Sequence, residues 1–235
     1  MIGGVIFNSE THAYYHPESK IRLLSVTDVL KIEGFINPYF YDEASRIRGQ
    51  AVHKAVELIE KGTLNPKSID PIIQPYVDGY LLFKKETGAR ALRCEMKVWD
   101  PDLNYAGRLD WFGLLNGLSV IDVKTGSMAD WTKYQLAGYW GCVNKTALEH
   151  YGLPPELRHP QQIKRYGLEL RPTGKYNLQP FTNPNDYRLF QSMVSLAWTK
   201  INEKIIKWEN LHGKRNDSDR PEGSRWNQER ELNLN

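Results

Sequence analysis

The chain has 235 residues, enough for one well-packed domain or for one domain with a tail. Its 40% hydrophobic and 25% charged residues are ordinary for a soluble globular protein, and no membrane-spanning run or signal-peptide pattern is visible, so we expect a cytoplasmic protein. Two cysteines exclude a disulfide framework, and a net charge of +3 decides little about nucleic acid, because such binding needs only a local basic patch.

The first 45 residues predict an N-terminal extension that packs on the main domain. Residues 5–7 and 13–15 have the composition of short strands, and a short helix is expected over residues 28–33. Either Ser25 or Thr27 would cap the start of this helix.

A helix with apolar periodicity is predicted over residues 48–57, and it carries His53. A lone histidine on a helix is more often structural than a ligand, but the acidic residues farther along the chain favour His53 as a metal ligand. Arg48 at the start of this helix is either a phosphate contact or an ordinary solvated charge.

A second helix is predicted over residues 71–86, with Gly88 as its end. It is followed by a strand over residues 91–99, whose alternating pattern includes Glu95. The helix has enough apolar residues to cover one face of a sheet.

Two β-rich runs at the centre of the chain predict a hairpin. They cover residues 105–115 and 118–124 and flank Asn116 and Gly117, a pair typical of hairpin turns. Apolar residues occupy both faces of both runs, which predicts helices on both sides of the sheet.

The length of the hairpin loop determines which side chains meet. A two-residue loop would set Asp110 opposite Val123, whereas a three-residue loop with Gly117 in the left-handed region sets Asp110 directly opposite Asp122. Lys124 then shares their face, because side chains alternate along a strand. We predict the three-residue, bulge-type turn.

Two opposed carboxylates repel each other in an ordinary sheet, and a divalent cation would remove the repulsion. Hard oxygen ligands favour Mg²⁺ or Mn²⁺, which lowers the pKa of a water molecule and neutralises charge on a phosphodiester. Lys124 would position that water or stabilise the developing oxyanion. The alternative is that Asp110, Asp122 and Lys124 form only a salt-bridge cluster at a sheet edge.

A helix expected over residues 130–150 follows the hairpin. Gln135 and Tyr139 are four residues apart, so they share one face of this helix.

The remaining chain predicts a second hairpin, a long helix and a tail. The hairpin strands cover residues 162–170 and 175–181, and their turn lacks the glycine spacing of a phosphate loop, so no nucleotide site is expected. An amphipathic helix covers residues 185–211. Residues 1–211 therefore form a single domain, and the polar residues 212–235 form a disordered tail.

The order of these residues resembles the PD-(D/E)XK nuclease superfamily, and it is most similar to the RecB-like and phage exonuclease branch. The likeness covers roughly residues 45–180. It is carried by His53, Glu95, Gly107-x-x-Asp110, Asp122-x-Lys124-Thr125-Gly126 and Gln135-x-x-x-Tyr139.

The resemblance implies an α/β fold with a restriction-endonuclease-like αβββαβ core, a mixed central sheet flanked by helices on both faces. It also implies roles for individual residues. The expected metal ligands are His53, Asp110, Asp122 and the carbonyl of Val123; the catalytic group is Lys124 with Asp110, Asp122 and Glu95; the substrate contacts are Gln135, Tyr139, Arg48 and Thr125.

The chain departs from the superfamily pattern at two positions. Leu109 stands where the name-giving proline would be, and Asp122 fills a position where some relatives use glutamate. Neither change removes a ligand for a hard cation. Some relatives bind an iron–sulfur cluster through four cysteines, and the two cysteines of this chain exclude that cluster.

The function implied by the resemblance is a metal-dependent deoxyribonuclease, an exonuclease on linear DNA in phage-type recombination, repair or DNA degradation. DNA would be its partner, together with a single-strand-annealing recombination protein, and a phage-encoded protein would act in the cytoplasm of its bacterial host. Three alternatives stay open: an endonuclease of the same superfamily, a DNA-binding module that does not hydrolyse, and a structural phage protein with an incidental metal site.

Overall fold

The computed structural model describes residues 4–37, 42–145 and 163–212. The end of the helix expected over residues 130–150 and the predicted tail beyond residue 212 lie outside these ranges. The strands are β1 (Ile6–Asn8), β2 (Ala13–Tyr15), β3 (Arg22–Ser25), β4 (Arg90–Asp100), β5 (Tyr105–Leu114), β6 (Leu118–Lys124), β7 (Lys164–Leu170) and β8 (Tyr176–Pro180). The helices are α1 (Val26–Ile32), α2 (Glu43–Glu60), α3 (Gln74–Thr87), α4 (Thr132–Lys145), α5 (Asn185–Asn202) and α6 (Glu209–His212).

The eight strands found in the described ranges belong to one mixed sheet. Its order is β1-β2-β3-β5-β6-β7-β8, and β4 pairs with β5 outside this path. The pairs β3–β5 and β6–β7 are parallel, and the remaining neighbours are antiparallel. The predicted αβββαβ order is present as α3, β4, β5, β6, α4 and β7, with α2 ahead of it.

Helices cover both faces of this sheet, as the two-sided apolar strands predicted. On one face, the α4-side core contains Phe112 and Val120 together with residues of α1, α4 and α5. On the other face, the α2-side core contains Trp111 and Ile121 together with residues of α2 and α3. The predicted α/β fold with a mixed sheet between two helical layers is confirmed.

The β5–β6 hairpin has the predicted three-residue turn. The cross-strand pair next to the turn is Leu114 with Leu118, which leaves three residues in the loop. Gly117 has a φ of +108° and Asn116 a φ of +53°, so both residues supply the positive φ that a tight turn of this kind needs.

Capping residues and residues with a positive φ determine where the helices begin and end, more than the apolar pattern does. Ser25 caps α1, accepting a hydrogen bond from the backbone N–H of Asp28, and the Asp28 carboxylate accepts one in return. Gly88, with a φ of +67°, ends α3 as predicted. The helix expected to reach residue 211 instead ends at Asn202, because Lys204 adopts a left-handed conformation with a φ of +59°.

The N-terminal strands extend the main sheet. Val5, Tyr14 and Leu23 form a small apolar cluster with Trp99 of β4 and Ala106 of β5. This cluster holds β1 to β3 beside the first half of β5. Among the described helices, none combines the length and hydropathy that crossing a membrane requires.

Candidate metal centre

Strand β5 has a short stretch that the described strands leave unpaired on one edge. β4 pairs along one edge of β5 from Tyr105 to Leu114. The other edge pairs with β3 at Tyr105 and Ala106 and with β6 from Trp111 onward. Residues 107–110 therefore lie in a gap where β3 and β6 diverge, and helices can bring side chains up to the strand there.

The alternation of side chains reverses beside this gap. On β4, Met96 packs in the α4-side core, whereas Cys94, two residues away, packs against the α2-side core. Glu95 lies between them with a φ of +52°, a conformation that turns the strand over. The paired residues of β5 change faces in the same way, and Asp110 lies at the reversal. Simple alternation along β5 therefore does not fix where the Asp110 carboxylate points.

Three ionisable side chains meet at the gap: His53 from α2, Glu95 from β4 and Asp110 from β5. Nδ1 of His53 lies 3.5 Å from Oε1 of Glu95 and 3.5 Å from Oδ1 of Asp110. Each residue offers one potential ligand atom, and these atoms all lie within 4.8 Å of one another. The three side chains are 28%, 17% and 13% exposed, so the cluster is half-buried but reachable from solvent.

The backbone of Val123 links this cluster to β6. Its N–H donates a hydrogen bond to Oδ2 of Asp110 at 2.8 Å. Its carbonyl oxygen lies 2.9 Å from Nε2 of His53. The structure thus brings His53, Glu95, Asp110 and the Val123 carbonyl together, four of the positions named from the sequence.

Asp122 and Lys124 form a second group on the α4 side. Nζ of Lys124 lies 2.8 Å from Oδ2 of the buried Asp122 and donates a hydrogen bond to Oε1 of Gln135 at 3.0 Å. Gln135 in turn donates to the hydroxyl of Tyr139 at 3.3 Å. The Lys124 ammonium also lies 5.0 Å from the ring centroid of Trp131. Asp122 is therefore engaged by Lys124, while Asp110 is engaged by His53 and Val123.

A close approach of α4 explains the glycine of the Gly-x-x-Asp motif. A Cβ atom on Gly107 would lie 2.6 Å from Cε1 of Tyr139 and 3.3 Å from Val26. Only glycine lets the Tyr139 ring rest directly on the strand, which places Gln135 over Lys124.

Electrostatics at the cluster shift two pKa values strongly. Burial by itself lowers the pKa of His53, but the carboxylates of Asp110, Glu95 and Asp122 outweigh it and raise the pKa to about 9. Burial raises the pKa of Asp110 to about 6; repulsion from Asp122 adds to this, while His53 and Lys124 oppose it. Near neutral pH the His53 imidazolium therefore balances part of the negative charge.

The donor set fits a hard divalent cation. Two carboxylates face Nδ1 of one imidazole, and the Val123 carbonyl lies at Nε2 of the same ring. Oxygen ligands with a histidine suit Mg²⁺ or Mn²⁺. The raised pKa of His53 favours the imidazolium between the carboxylates, and a bound cation would replace that positive charge. The alternative of a salt-bridge cluster describes Asp122 with Lys124, and in the metal-free protein the His53 imidazolium pairs with Glu95 and Asp110 in the same way.

The other predicted substrate contacts lie at the start of α2. Arg48 donates a hydrogen bond to Oγ of Ser45 at 3.1 Å, and its guanidinium lies 5.7 Å from the ring centroid of Tyr76. The backbone of Gly49 approaches the Thr125 side chain, because a Cβ there would be 3.7 Å from Thr125 Oγ1. Arg48 and Thr125 thus flank the same junction between α2 and the end of β6.

Two residues at the site were not predicted from the sequence. Nε of Arg108 lies 2.8 Å from Oε2 of Glu95, and Trp131 flanks Lys124. Arg108 lies inside the Gly-x-x-Asp motif, two residues before Asp110, so its proximity could have been inferred. The position of Trp131 could not, because it precedes α4 in a loop whose path no local pattern indicates.

Comparison with solved structures gives the fold. The structure of a "Putative exonuclease" from Eubacterium rectale matches with a TM-score of 0.50 and 12% identity, covering 93% of this chain and 96% of that one. The alkaline exonuclease LHK-Exo from Laribacter hongkongensis matches at 14% identity and a TM-score of 0.35, over 78% of this chain and 89% of that one. LHK-Exo in complex with dAMP matches at 12% identity and a TM-score of 0.36, over the same shares.

No protein-family profile matches the chain, and no curated protein matches it significantly. The match to the Eubacterium rectale structure spans nearly the whole of both chains. The two chains therefore share one fold, and the α/β architecture with a mixed sheet between helical layers, which the sequence resemblance implied, is confirmed.

Proposed function

We propose that this protein is a divalent-metal-dependent deoxyribonuclease that hydrolyses phosphodiester bonds, and that it acts as an exonuclease on linear DNA. One observation carries the proposal: one potential ligand atom from each of His53, Glu95 and Asp110 lies within 4.8 Å of the other two. This donor set lies at a half-buried gap in the sheet, where a phosphate group can reach it.

The metal would be held by His53, Asp110, Asp122 and the Val123 carbonyl, with Glu95 in or next to the ligand shell. Bound Mg²⁺ or Mn²⁺ would lower the pKa of a water molecule and neutralise charge on the scissile phosphate. The protein supplies a fixed arrangement of donors, because the Val123 N–H holds the Asp110 carboxylate and helix α2 holds His53.

Lys124 would stabilise the charge that develops on the phosphate oxygens. Its ammonium is held by Asp122, Gln135 and the Trp131 ring, so it is already oriented before substrate binds. Tyr139 stays a neutral phenol, since burial raises its pKa well above the usual value, and it supports the Gln135 side chain.

Arg48 and Thr125 would contact the DNA backbone. Arg48 donates to Oγ of Ser45 and lies over the Tyr76 ring, so its guanidinium is held where a phosphate oxygen would accept from it. Thr125 lies beside Gly49, the residue after Arg48, so the two side chains would contact the same stretch of DNA backbone.

The test is DNA hydrolysis by the purified protein in Mg²⁺, in Mn²⁺ and in EDTA. Linear end-labelled DNA and covalently closed circles are compared for the wild-type protein and the Lys124→Ala variant. We expect metal-dependent loss of linear DNA only, abolished by Lys124→Ala. The matched control is Lys133→Ala, which removes a lysine of α4 that contacts the ring of Tyr134 rather than the site.

Each other outcome is informative. Cutting of closed circles would establish an endonuclease of the same fold. DNA binding with no cleavage in either metal would overturn the proposed nuclease activity and favour a DNA-binding module that does not hydrolyse DNA. The single domain over residues 1–211, the disordered tail, the cytoplasmic location, the recombination setting and a single-strand-annealing partner remain predictions from the sequence.

A further inference from the structure

A buried polar network joins the end of helix α2 to the strands that carry the candidate metal centre. Its central residue is Glu60, whose side chain is only 8% exposed. Oε1 of Glu60 accepts a hydrogen bond from the hydroxyl of Tyr80 at 2.7 Å, and Oε2 accepts one from the backbone N–H of Ala91 at 3.3 Å. Trp111 extends the network, because its Nε1–H donates to the Tyr80 hydroxyl at 3.1 Å. One carboxylate therefore connects α2, α3, β4 and β5.

The hydrogen bonds of this network each have one direction. Burial raises the pKa of Tyr80 well above its usual value, and the Glu60 carboxylate adds to this, so the hydroxyl stays protonated. The hydroxyl donates its single proton to Glu60 and accepts from the Trp111 indole, whose nitrogen can only donate. Tyr80 and Trp111 are buried, so water does not compete for these bonds.

The network and the candidate metal centre share three elements of the fold. Each of these elements carries one residue of the network and one candidate ligand: Glu60 and His53 on α2, Ala91 and Glu95 on β4, and Trp111 and Asp110 on β5. On α2 the two residues are seven positions apart, which puts them on one face of the helix about 10 Å from each other. A shift of the helix at Glu60 would therefore also move the imidazole.

The contact with Ala91 lies at an irregular part of β4. The register between β4 and β5 shifts between Ala91 and Arg93, as it does at a β-bulge. Bulges change the direction in which the side chains of a strand point. The hydrogen bond from the Ala91 N–H to Glu60 ties this bulge to α2, so it sets how β4 lies against the helix that carries His53.

An ion pair with Lys84 accompanies the network, since the ammonium contacts the same oxygen of Glu60 as the Tyr80 hydroxyl does. A buried ion pair is a weak source of stability, because removing the charges from water offsets much of their attraction. Apolar side chains at these positions would pack at lower cost. They would not hold helix and strands at one spacing through directional hydrogen bonds.

We propose that Glu60 is a positioning residue for metal binding: it holds α2 to β4 and β5, and it thereby sets the distance from His53 to the two carboxylates of the candidate metal centre. Glu60 acts through this geometry and is not itself a ligand. The proposal rests on the metal-dependent function proposed above and adds a residue outside the ligand set on which the metal affinity depends.

Binding of Mn²⁺ to the metal-free protein tests this, by isothermal titration at a temperature where every variant is folded. Glu60→Gln keeps the size of the side chain but turns one acceptor into a donor, so one of its two hydrogen bonds is lost. Tyr80→Phe removes the hydroxyl that leads to Trp111. Each change should weaken Mn²⁺ binding roughly 10-fold, as expected for residues that orient ligands. Together they should weaken it by less than the product of the two factors, because both interrupt one network.

Two control variants separate positioning from stability. Glu86→Gln changes a carboxylate that accepts from the Tyr176 hydroxyl at 2.7 Å, the same kind of bond between α3 and β8, neither of which carries a candidate ligand. Lys84→Gln removes the ion pair of Glu60 but leaves its two hydrogen bonds in place. Both controls should bind Mn²⁺ like the wild type, even where thermal unfolding shows a loss of stability.

Wild-type affinity in Glu60→Gln, or an equal loss of affinity in Lys84→Gln, would overturn the proposal. If Glu60→Gln does not fold, Tyr80→Phe gives the answer, because a phenyl ring fills the same buried space. Failure of the nuclease function would appear separately, as a wild-type protein that binds Mn²⁺ but does not cleave DNA. A wild-type protein that binds no Mn²⁺ would overturn both proposals.

Discussion

Nε2 of His53 lies 2.9 Å from the carbonyl oxygen of Val123, and this contact joins helix α2 to the end of strand β6. The other ring nitrogen of His53 is placed between the carboxylates of Glu95 and Asp110. One imidazole therefore contacts every part of the proposed metal-binding cluster except Asp122. A proton on His53 and a metal ion would therefore compete for the negative charge of the Glu95 and Asp110 carboxylates.

Replacing this imidazole should weaken metal binding. His53→Gln keeps a hydrogen-bonding side chain but removes the nitrogen ligand, so the affinity for Mn²⁺ should fall by at least about 10-fold. Isothermal titration of the metal-free protein with Mn²⁺ measures this. His16→Gln changes a histidine that contacts the Trp99 ring instead, and it should bind Mn²⁺ like the wild type. Unchanged affinity in His53→Gln would remove His53 from the ligand set.

The stability of the metal-free protein should depend on the protonation of His53. Its folded-state pKa of about 9 exceeds the ordinary 6.5, so the stabilisation is fully present below pH 6.5 and is lost as the pH rises through 9. The resulting loss in the free energy of unfolding is at most about 3 kcal/mol. The raised pKa of Asp110, about 6, acts in a different window, where ionisation costs stability between pH 3.8 and 6.

Thermal unfolding in EDTA between pH 6 and 10 measures the alkaline loss. The wild-type protein should lose stability across this range, and His53→Gln should show a flatter profile. Parallel profiles for the two proteins would contradict the proposed charge on His53.

Metal binding should release the proton carried by the His53 imidazolium. A cation and the His53 imidazolium exclude each other, so Mg²⁺ affinity should rise with pH up to about 9. Calorimetry of Mg²⁺ binding at pH 7.5, in buffers with different ionisation enthalpies, should detect a released proton. Binding heats that are independent of the buffer would show that His53 does not deprotonate when metal binds.

The sequence predicted those parts of the fold that depend on local patterns. Asn116 and Gly117 indicated the hairpin, and its three-residue loop was predicted because that length sets Asp110 opposite Asp122. The end of α3 followed from Gly88. The end of α5 was missed because the apolar stripe continues beyond Asn202, and the left-handed Lys204 has no sequence signal.

The candidate site was less predictable than the fold, because it depends on a break in strand geometry. The loop length placed Asp110 opposite Asp122, and alternation placed Lys124 on their face. The observed β5–β6 pairing has this register but stops at Trp111 with Ile121, one residue before that pair. The reversal at Glu95, with its positive φ, is a long-range consequence of packing on two cores. No spacing in the sequence indicates it.

The close contact between Gly107 and Tyr139 predicts a large effect of one methyl group. Gly107→Ala would place a Cβ 2.6 Å from the Tyr139 ring, so the ring or the strand must shift. We expect a loss of about 1–3 kcal/mol in the free energy of unfolding, together with reduced cleavage because Gln135 moves with α4. Denaturant unfolding and the cleavage assay measure the two effects.

Gly126 provides the matched control for this substitution. It belongs to the Asp-x-Lys-Thr-Gly motif, yet a Cβ there meets no atom within 4 Å, and its φ does not require glycine. Gly126→Ala should therefore change the free energy of unfolding by less than about 0.5 kcal/mol. Equal losses in the two variants would show that the Tyr139 contact is not what makes Gly107 necessary.

Replacing Trp131 should moderately lower the rate of DNA hydrolysis, because its ring contacts the Lys124 ammonium. The ring stabilises the Lys124 ammonium at 5.0 Å, a contact worth roughly 0.5–1 kcal/mol when partly exposed. Trp131→Leu should therefore lower kcat for DNA hydrolysis roughly 2- to 5-fold with little change in KM, because Gln135 and Asp122 still hold the lysine. Trp131→Phe keeps an aromatic face and should recover most of the rate. If Trp131→Phe is as slow as Trp131→Leu, the loss of kcat comes from packing of the loop and not from the aromatic ring next to the Lys124 ammonium.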